Sequence, residues 1–328
     1  MPAEANLVAV IEGHFASELL LGLLRAGTLK LLERPWRIDD LSLACGIETA
    51  ALKRCLDYLT DATTVIVRLK NGRYQLGECG FAELAFQLEK FIGAYGGSIR
   101  GLGAAHEAKG IDHRTDQEAL ATAFSYTAGT GTPIAQHLHR AGVGKMLELG
   151  CGSEPLAIQM ALLDDRFEGL CIDSSAPMCR LAARRIRSTG LRSRVRVERA
   201  RVQDIRSVVS APERRSYDAL FGRSILNTLF GGCSSEAVSF LVGLRSAFPN
   251  CRAFFIDYYS ELHAKRPKLP ARRVARLQDL VQMASGQGLP PSNRGAWAAL
   301  YNDAGCRLAA ARDFNDRDIR WFIHEVHL

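Results

Sequence analysis

The chain has 328 residues, of which 47% are hydrophobic and 23% are charged, a composition typical of a globular protein with room for about two domains. Its formal net charge of +7 permits nucleic-acid binding, but no aromatic residue interleaves the arginines of residues 184–201, which favours a solvated surface over a base-stacking platform. The sequence shows neither an uninterrupted apolar run of about 20 residues nor a secretory signal pattern, and its nine cysteines form no Cys-x-x-Cys pair, so we expect a cytoplasmic protein without a membrane partner.

The N-terminal region has the pattern of a winged helix. A leucine-rich face, interrupted at Gly27, predicts the first helix, and Asn71-Gly72 between two alternating segments predicts a hairpin. The predicted elements are helices at residues 8–34, 38–47 and 49–58 and strands at residues 65–68 and 74–76. The helix that would enter a DNA groove offers only Lys53 and Arg54 as cations, so nucleic-acid binding is disfavoured.

The rest of the chain divides into two further regions. After a winged-helix domain over residues 1–85, residues 86–140 are mostly helical in pattern, and strands alternate with helices over residues 141–328. This alternation predicts an α/β domain with a mostly parallel sheet. The last two strands follow each other without a helix, so one of them should be antiparallel. Predicted strands are 145–149, 168–172, 195–199, 217–221, 252–257, 306–313 and 319–327; predicted helices are 155–164, 175–188, 234–247, 272–285 and 293–304.

A glycine turn follows the first strand of this domain. It reads Glu148-Leu149-Gly150-Cys151-Gly152-Ser153-Glu154 and precedes a helix opened by Pro155. Glycines let a ligand approach the backbone, and a helix start is expected to offer free N–H groups. Asp173 closes the next strand. Because Pro occupies position 155, the Gly-x-Gly-x-x-Gly pattern of dinucleotide-binding folds is not met.

In these motifs the chain resembles the class I S-adenosylmethionine (SAM) dependent methyltransferases, in particular small-molecule O-methyltransferases with an N-terminal winged-helix dimerisation domain. The resemblance implies a Rossmann-like sheet, SAM as cofactor with S-adenosylhomocysteine as product, and a homodimer formed through the N-terminal domain. The turn would hold the methionine part of SAM, Asp173 the ribose and Asp204 the adenine. The implied cofactor-binding residues are Glu148, Gly150, Gly152, Asp173, Ser174, Gln203, Asp204 and Arg223.

The same resemblance implies where a small-molecule substrate binds. Tyr95, Phe124 and Tyr126 are candidates for the pocket wall, and no metal is required. Asn227 stands where many of these enzymes carry a histidine base. An asparagine side chain takes no proton but can orient a substrate by hydrogen bonds. O-methylation is therefore the first expectation, and N-, S- or C-methylation stays open.

Two further questions stay open. Another residue can be the base, and the candidate histidines are His106, His113, His137, His139 and His263. The missing histidine and Glu154, which replaces the last motif glycine, also leave an alternative function: a non-catalytic winged-helix regulator that binds SAM or a related metabolite.

Overall fold

The computed structural model describes residues 2–101, 115–231, 234–262, 273–316 and 318–328. The chain forms two compact units, Met1–Ala94 and Tyr95–Leu328. The expected linker, residues 86–140, is thus divided between them.

The first unit consists of helices and one hairpin. Its predicted first helix is interrupted because Gly27 adopts a left-handed conformation with φ of 78°. Strands β1 and β2 pair antiparallel, which confirms the predicted hairpin. The elements are α1 (Pro2–Arg25), α2 (Thr28–Leu31), α3 (Ile38–Cys45), α4 (Thr49–Ala62), β1 (Ile66–Arg68), β2 (Tyr74–Leu76), α5 (Phe81–Gln87) and a π-helix (Leu88–Ala94).

The second unit is built on a seven-stranded sheet with the order β5-β4-β3-β6-β7-β9-β8. Strand β9 runs antiparallel to both of its neighbours, and the other pairs are parallel. The predicted Rossmann-like, mostly parallel sheet with one antiparallel strand is confirmed. Its strands are β3 (Lys145–Leu149), β4 (Glu168–Asp173), β5 (Val195–Arg199), β6 (Ala219–Arg223), β7 (Arg252–Tyr258), β8 (Arg307–Asp316) and β9 (Ile319–His327).

Strand β6 begins two residues later than predicted. The Asp218 carboxylate accepts hydrogen bonds from the N–H groups of Gly144 (3.0 Å) and Lys145 (2.7 Å). Asp218 therefore joins the amino ends of β6 and β3 through its side chain.

Helices cover both faces of the sheet. Along β3, Leu147 and Leu149 belong to one buried cluster and Met146 to the other, as the alternation of side chains in a strand requires. The helices are α6 (Gly96–Arg100), α7 (Gln117–Ser125), α8 (Thr132–Arg140), α9 (Leu156–Leu163), α10 (Ala176–Ser188), α11 (Ile205–Val208), α12 (Ala211–Arg214), α13 (Ser234–Ala247), α14 (Arg273–Ala284) and α15 (Arg294–Asp303), with 3₁₀ helices at Val202–Asp204 and Leu226–Leu229.

Candidate active site

The glycine turn lies at the carboxyl end of β3, the edge where open α/β sheets bind ligands. Gly150 and Gly152 have φ of 66° and 62°, a region that side chains disfavour. A β-carbon on Gly150 would lie 2.9 Å from Ile225, whereas one on Gly152 would meet nothing within 4 Å. Gly150 therefore permits packing against the segment after β6, and Gly152 leaves open space for a ligand.

Glu148 caps the helix that follows the turn. Its carboxylate accepts hydrogen bonds from the N–H groups of Leu156 and Ala157, both at 2.9 Å. Burial raises its pKa to about 7, and these bonds oppose the shift. The expectation of free N–H groups at this helix start is wrong for these two, because Glu148 engages them. Glu148 therefore binds the backbone of the helix that follows the turn.

Asp173 joins the turn to the start of α10. Its Oδ2 accepts from the Gly152 N–H (2.9 Å) and its Oδ1 from the Ser175 N–H (2.8 Å). Burial raises its pKa. Each carboxylate oxygen can accept a second hydrogen bond, so both the capping and the ligand-binding roles are compatible with this geometry.

The other predicted cofactor residues are exposed near the same edge. Gln203 and Asp204 follow β5 in a 3₁₀ helix, and Ser174 follows Asp173. Arg223 ends β6, and its positive charge lowers the pKa of Glu148. Strand β3 lies between the parallel strands β4 and β6, and β5 pairs with β4 on its other side. The carboxyl ends of these strands therefore bring the residues to one edge of the sheet.

Asn227 lies in the 3₁₀ helix after β6 and is 3% exposed. Its N–H donates to Asp257 Oδ2 on β7 (2.9 Å), and its carbonyl accepts from Gln282 Nε2 on α14 (2.9 Å). Burial raises the pKa of Asp257 to about 7. Two side chains thus fix the backbone of Asn227.

A chain of side-chain hydrogen bonds links Asn227 to Tyr95. Gln282 Nε2 also donates to Gln287 Oε1 (2.8 Å), and Gln287 hydrogen-bonds the buried Tyr95. The structure therefore brings together two residues predicted to contact the substrate. We did not predict Asp257, Gln282 or Gln287 from the sequence, although Asp257 interrupts an apolar strand and both glutamines are nearly fully buried.

Helix α7 is tied to the turn by Ser153, whose hydroxyl donates to the Ala121 carbonyl (2.9 Å). Phe124 and Tyr126 lie half-buried at the end of this helix. Glu154 lies 3.6 Å from Arg185 of α10, so its carboxylate pairs with an arginine of the scaffold. We did not predict a role for Ser153 from the sequence.

The candidate histidines lie elsewhere or outside the described residues. His139 lies 3.9 Å from Asp164 at the end of α9, which places it at the amino edge of the sheet, and His137 packs edge-on against Phe254. His106, His113 and His263 lie outside the described residues. Within those residues, no group of three His, Cys, Asp or Glu side chains is arranged to hold a metal ion.

No protein-family model and no curated protein matches the sequence, but solved structures match nearly its whole length. The mitomycin 7-O-methyltransferase MmcR has a TM-score of 0.72 at 16% identity, over 99% of this chain and 98% of its own. The N,N-8-amino-8-demethyl-D-riboflavin dimethyltransferase RosA from Streptomyces davawensis has a TM-score of 0.61 at 17% identity, over 99% of each chain.

A third solved structure was determined with ligands. The O-methyltransferase NcsB1 from neocarzinostatin biosynthesis, in complex with SAM and 2-hydroxy-5-methyl naphthoic acid, has a TM-score of 0.60 at 17% identity, over 97% of this chain and 95% of its own. The chain therefore has the fold of small-molecule methyltransferases.

Proposed function

We propose that the chain is a SAM-dependent methyltransferase that acts on a small-molecule metabolite. The observation that carries this proposal is the glycine turn at the carboxyl edge of the sheet, with open space beside Gly152 and the Asp173 carboxylate bridging the turn and α10. NcsB1, which has the same fold, binds SAM. No comparison favours a non-catalytic regulator.

The residues at this edge fit the parts of SAM. The carboxylate of Asp173 suits a vicinal diol, and the exposed Gln203 and Asp204 suit an adenine edge. Glycines at positions 150 and 152 keep side chains away from the methionine part. SAM supplies a methyl group that its sulfonium already activates, so the protein contributes alignment and the exclusion of water.

The fold alone does not determine which substrate atom accepts the methyl group, so the residues of the site must determine it. The names of MmcR and RosA place both oxygen and amino acceptors on this fold. Asn227, Tyr95, Phe124 and Tyr126 are the residues that we propose to contact the substrate.

We expect Asp173→Ala to weaken the binding of S-adenosylhomocysteine by about 10–100-fold, because a charge-assisted hydrogen-bond pair to the ribose is lost. Isothermal titration calorimetry measures the effect. Asp218→Ala is the matched control, since Asp218 also accepts two backbone N–H groups but at the opposite edge of the sheet. Equal affinities of the two variants would remove Asp173 from the cofactor site.

We also propose that the first unit is a winged-helix dimerisation domain of a cytoplasmic homodimer. Helix α1 exposes a row of large apolar side chains and borders an apolar groove of about 390 Å³ that also contacts Ile47 and Leu52. Single-chain proteins rarely expose such a patch. The exposed α1 residues are Leu7, Val8, Val10, Ile11 and Phe15.

Two observations bear on this assignment. Residues Leu7–Arg25 have the length and hydropathy of a membrane span, but Glu12 and Glu18 lie within it and charged side chains are costly in hydrocarbon. All eight cysteines in the described ranges are free thiols, as in proteins of reducing compartments. A second copy of the chain is therefore the partner that we propose for α1.

Phe15→Glu should convert the homodimer into a monomer, because it places a charge in the apolar face of α1. Light scattering coupled to size-exclusion chromatography gives the mass. Leu43→Glu is the control, since Leu43 is 88% exposed on α3 and does not line the groove. A dimer that survives Phe15→Glu would contradict the assignment of the interface to α1.

A further inference from the structure

Asn227 combines a fixed backbone with an unpaired side-chain oxygen. Asp257 accepts from its N–H, and Gln282 donates to its carbonyl. Its side-chain Oδ1, in contrast, is buried and has no hydrogen-bond partner in the described part of the chain. A buried amide oxygen without a donor is unfavourable, and a bound ligand is one group that can supply the missing donor.

The position of Asn227 relates this oxygen to the glycine turn. Ile225, two residues earlier, packs directly over Gly150, since a β-carbon on Gly150 would come within 2.9 Å of its Cδ1. Gly222, which ends the buried part of β6, is also covered by Ile225, at 2.6 Å from a β-carbon there. Asn227 therefore lies on the segment that borders the turn.

On the basis of the function proposed above, we infer that the methyl acceptor is a neutral amine nitrogen that donates one N–H to Asn227 Oδ1. An anionic acceptor, such as a phenolate, thiolate or carboxylate, would face the partial negative charge of this oxygen. A neutral hydroxyl can donate to it but keeps its proton during the attack and is a weak nucleophile. A neutral amine donates a proton to the hydrogen bond and still presents a free lone pair.

Methyl transfer from SAM to a neutral amine needs no protein base. The nitrogen lone pair forms the new N–C bond, and the C–S bond breaks with its electron pair moving to sulfur. The positive charge thereby passes from sulfur to nitrogen. The resulting ammonium then releases one proton to solvent, so no side chain has to remove a proton before the transfer.

Asp257 acts in this scheme as a positioning residue. It holds the N–H of Asn227 and is 1% exposed. When ionised, its carboxylate favours the positive charge that develops on nitrogen and opposes the negative charge of an oxygen nucleophile. The electrostatics around Asn227 therefore agree with the hydrogen-bond argument.

The test uses SAM with a trideuterated methyl group and matched amine and hydroxyl probes. Suitable pairs are 1-naphthylamine with 1-naphthol and 8-aminoquinoline with 8-hydroxyquinoline, together with a metabolite extract of the producing cells. We expect the label on nitrogen, as located by NMR of the products. Label on oxygen, sulfur or carbon overturns the inference but leaves methyl transfer intact, whereas no label on any compound overturns the proposed function itself.

Two variants of Asn227 separate its role from a structural one. Asn227→Leu keeps the branched shape and removes the oxygen, so amine labelling should fall about 100-fold while calorimetric affinity for S-adenosylhomocysteine stays within about twofold. Asn227→His introduces a base and should shift label toward the hydroxyl member of each pair. Full amine labelling by Asn227→Leu, or an unchanged nitrogen-to-oxygen ratio in Asn227→His, overturns the inference.

Discussion

Gly288→Ala should lower the free energy of unfolding by at least about 4 kcal/mol. A β-carbon at this position would lie 1.9 Å from the Phe230 carbonyl oxygen and 2.2 Å from its carbonyl carbon. Both atoms belong to the backbone, so no side-chain rotation can relieve the overlap. The loss therefore exceeds the usual cost of overpacking in a core, which is about 1–3 kcal/mol.

The contact is built by glycines on both sides. A β-carbon on Gly231 would lie 2.2 Å from the Gly286 carbonyl oxygen, and the Phe230 N–H donates to the Gln287 carbonyl at 3.1 Å. This contact holds the segment that carries Gln287, the residue between Gln282 and Tyr95 in the hydrogen-bond chain. We therefore expect Gly288→Ala to disturb the substrate site as well as the stability.

Urea unfolding followed by tryptophan fluorescence measures the effect, because Trp297 packs edge-on against Phe230 with ring centroids 5.7 Å apart. Gly190→Ala is the matched control. Gly190 has φ of 73°, close to the 77° of Gly288, but a β-carbon there meets nothing within 4 Å. The control should lose only about 1–2 kcal/mol from its left-handed conformation, and equal losses in both variants would refute the packing argument.

The sheet could be predicted from the sequence because its signals are local. Alternation and apolar runs located all seven strands of the second unit. The two consecutive strands at the end predicted that one of them is antiparallel, and this strand is β9. The start of β6 was misplaced because Asp218 forms its hydrogen bonds with β3, a partner 73 residues away in the sequence. A local pattern contains no information on such a bond.

In the candidate site, too, the sequence predicted the residues that follow a local motif and missed those that depend on distant contacts. Gly150, Gly152 and Asp173 follow their strands directly, so motif and spacing place them at one edge. Gln282 lies 55 residues from Asn227 and reaches its carbonyl only through the packing of α14, and Gln287 joins the site through its hydrogen bond with Gln282. The motif assigns Glu148 to the ligand, whereas in the structure Glu148 accepts hydrogen bonds from the two N–H groups at the start of the next helix and from the Cys171 thiol.

The last prediction concerns Asp257, whose ionisation should make the protein less stable as the pH rises. Burial raises its pKa from the ordinary 3.8 to about 7. Below pH 3.8 the carboxyl is protonated in both the folded and the unfolded chain. Between pH 3.8 and about pH 7, Asp257 is ionised in the unfolded chain but still protonated in the folded chain. The free energy of unfolding therefore falls as the pH rises, by as much as about 4 kcal/mol once the pH exceeds 7.

Asp257→Asn removes this ionisation and keeps one acceptor oxygen. We expect the variant to be less stable than the wild type at pH 4, by about 1 kcal/mol, because one of the two N–H groups that the carboxyl accepts is left unpaired. At pH 8 the order should reverse, since only the wild type then has to bury a charge. Urea unfolding across this range measures the difference between the two proteins at each pH.

The difference in stability between the wild type and Asp257→Asn separates the effect of Asp257 from the effects of other buried groups. Two of these groups, Glu148 and His324, have pKa values in or near the same pH range. The pKa of Glu148 is raised to about 7 by burial, so its contribution also falls as the pH rises. His324 has a pKa lowered to about 4 by burial, so its contribution is lost as the pH falls from 6.5 toward 4. Both groups are present in the wild type and in Asp257→Asn, and their effects cancel in the comparison. Asp204→Asn, at an exposed position, is a control for the same substitution on the surface and should change stability by less than about 0.5 kcal/mol. A difference in the free energy of unfolding that stays constant from pH 4 to 8 would contradict the prediction, because it would show that Asp257 is charged in the folded protein throughout this range. A buried charge would need a cationic partner, and the described residues place none beside Asp257.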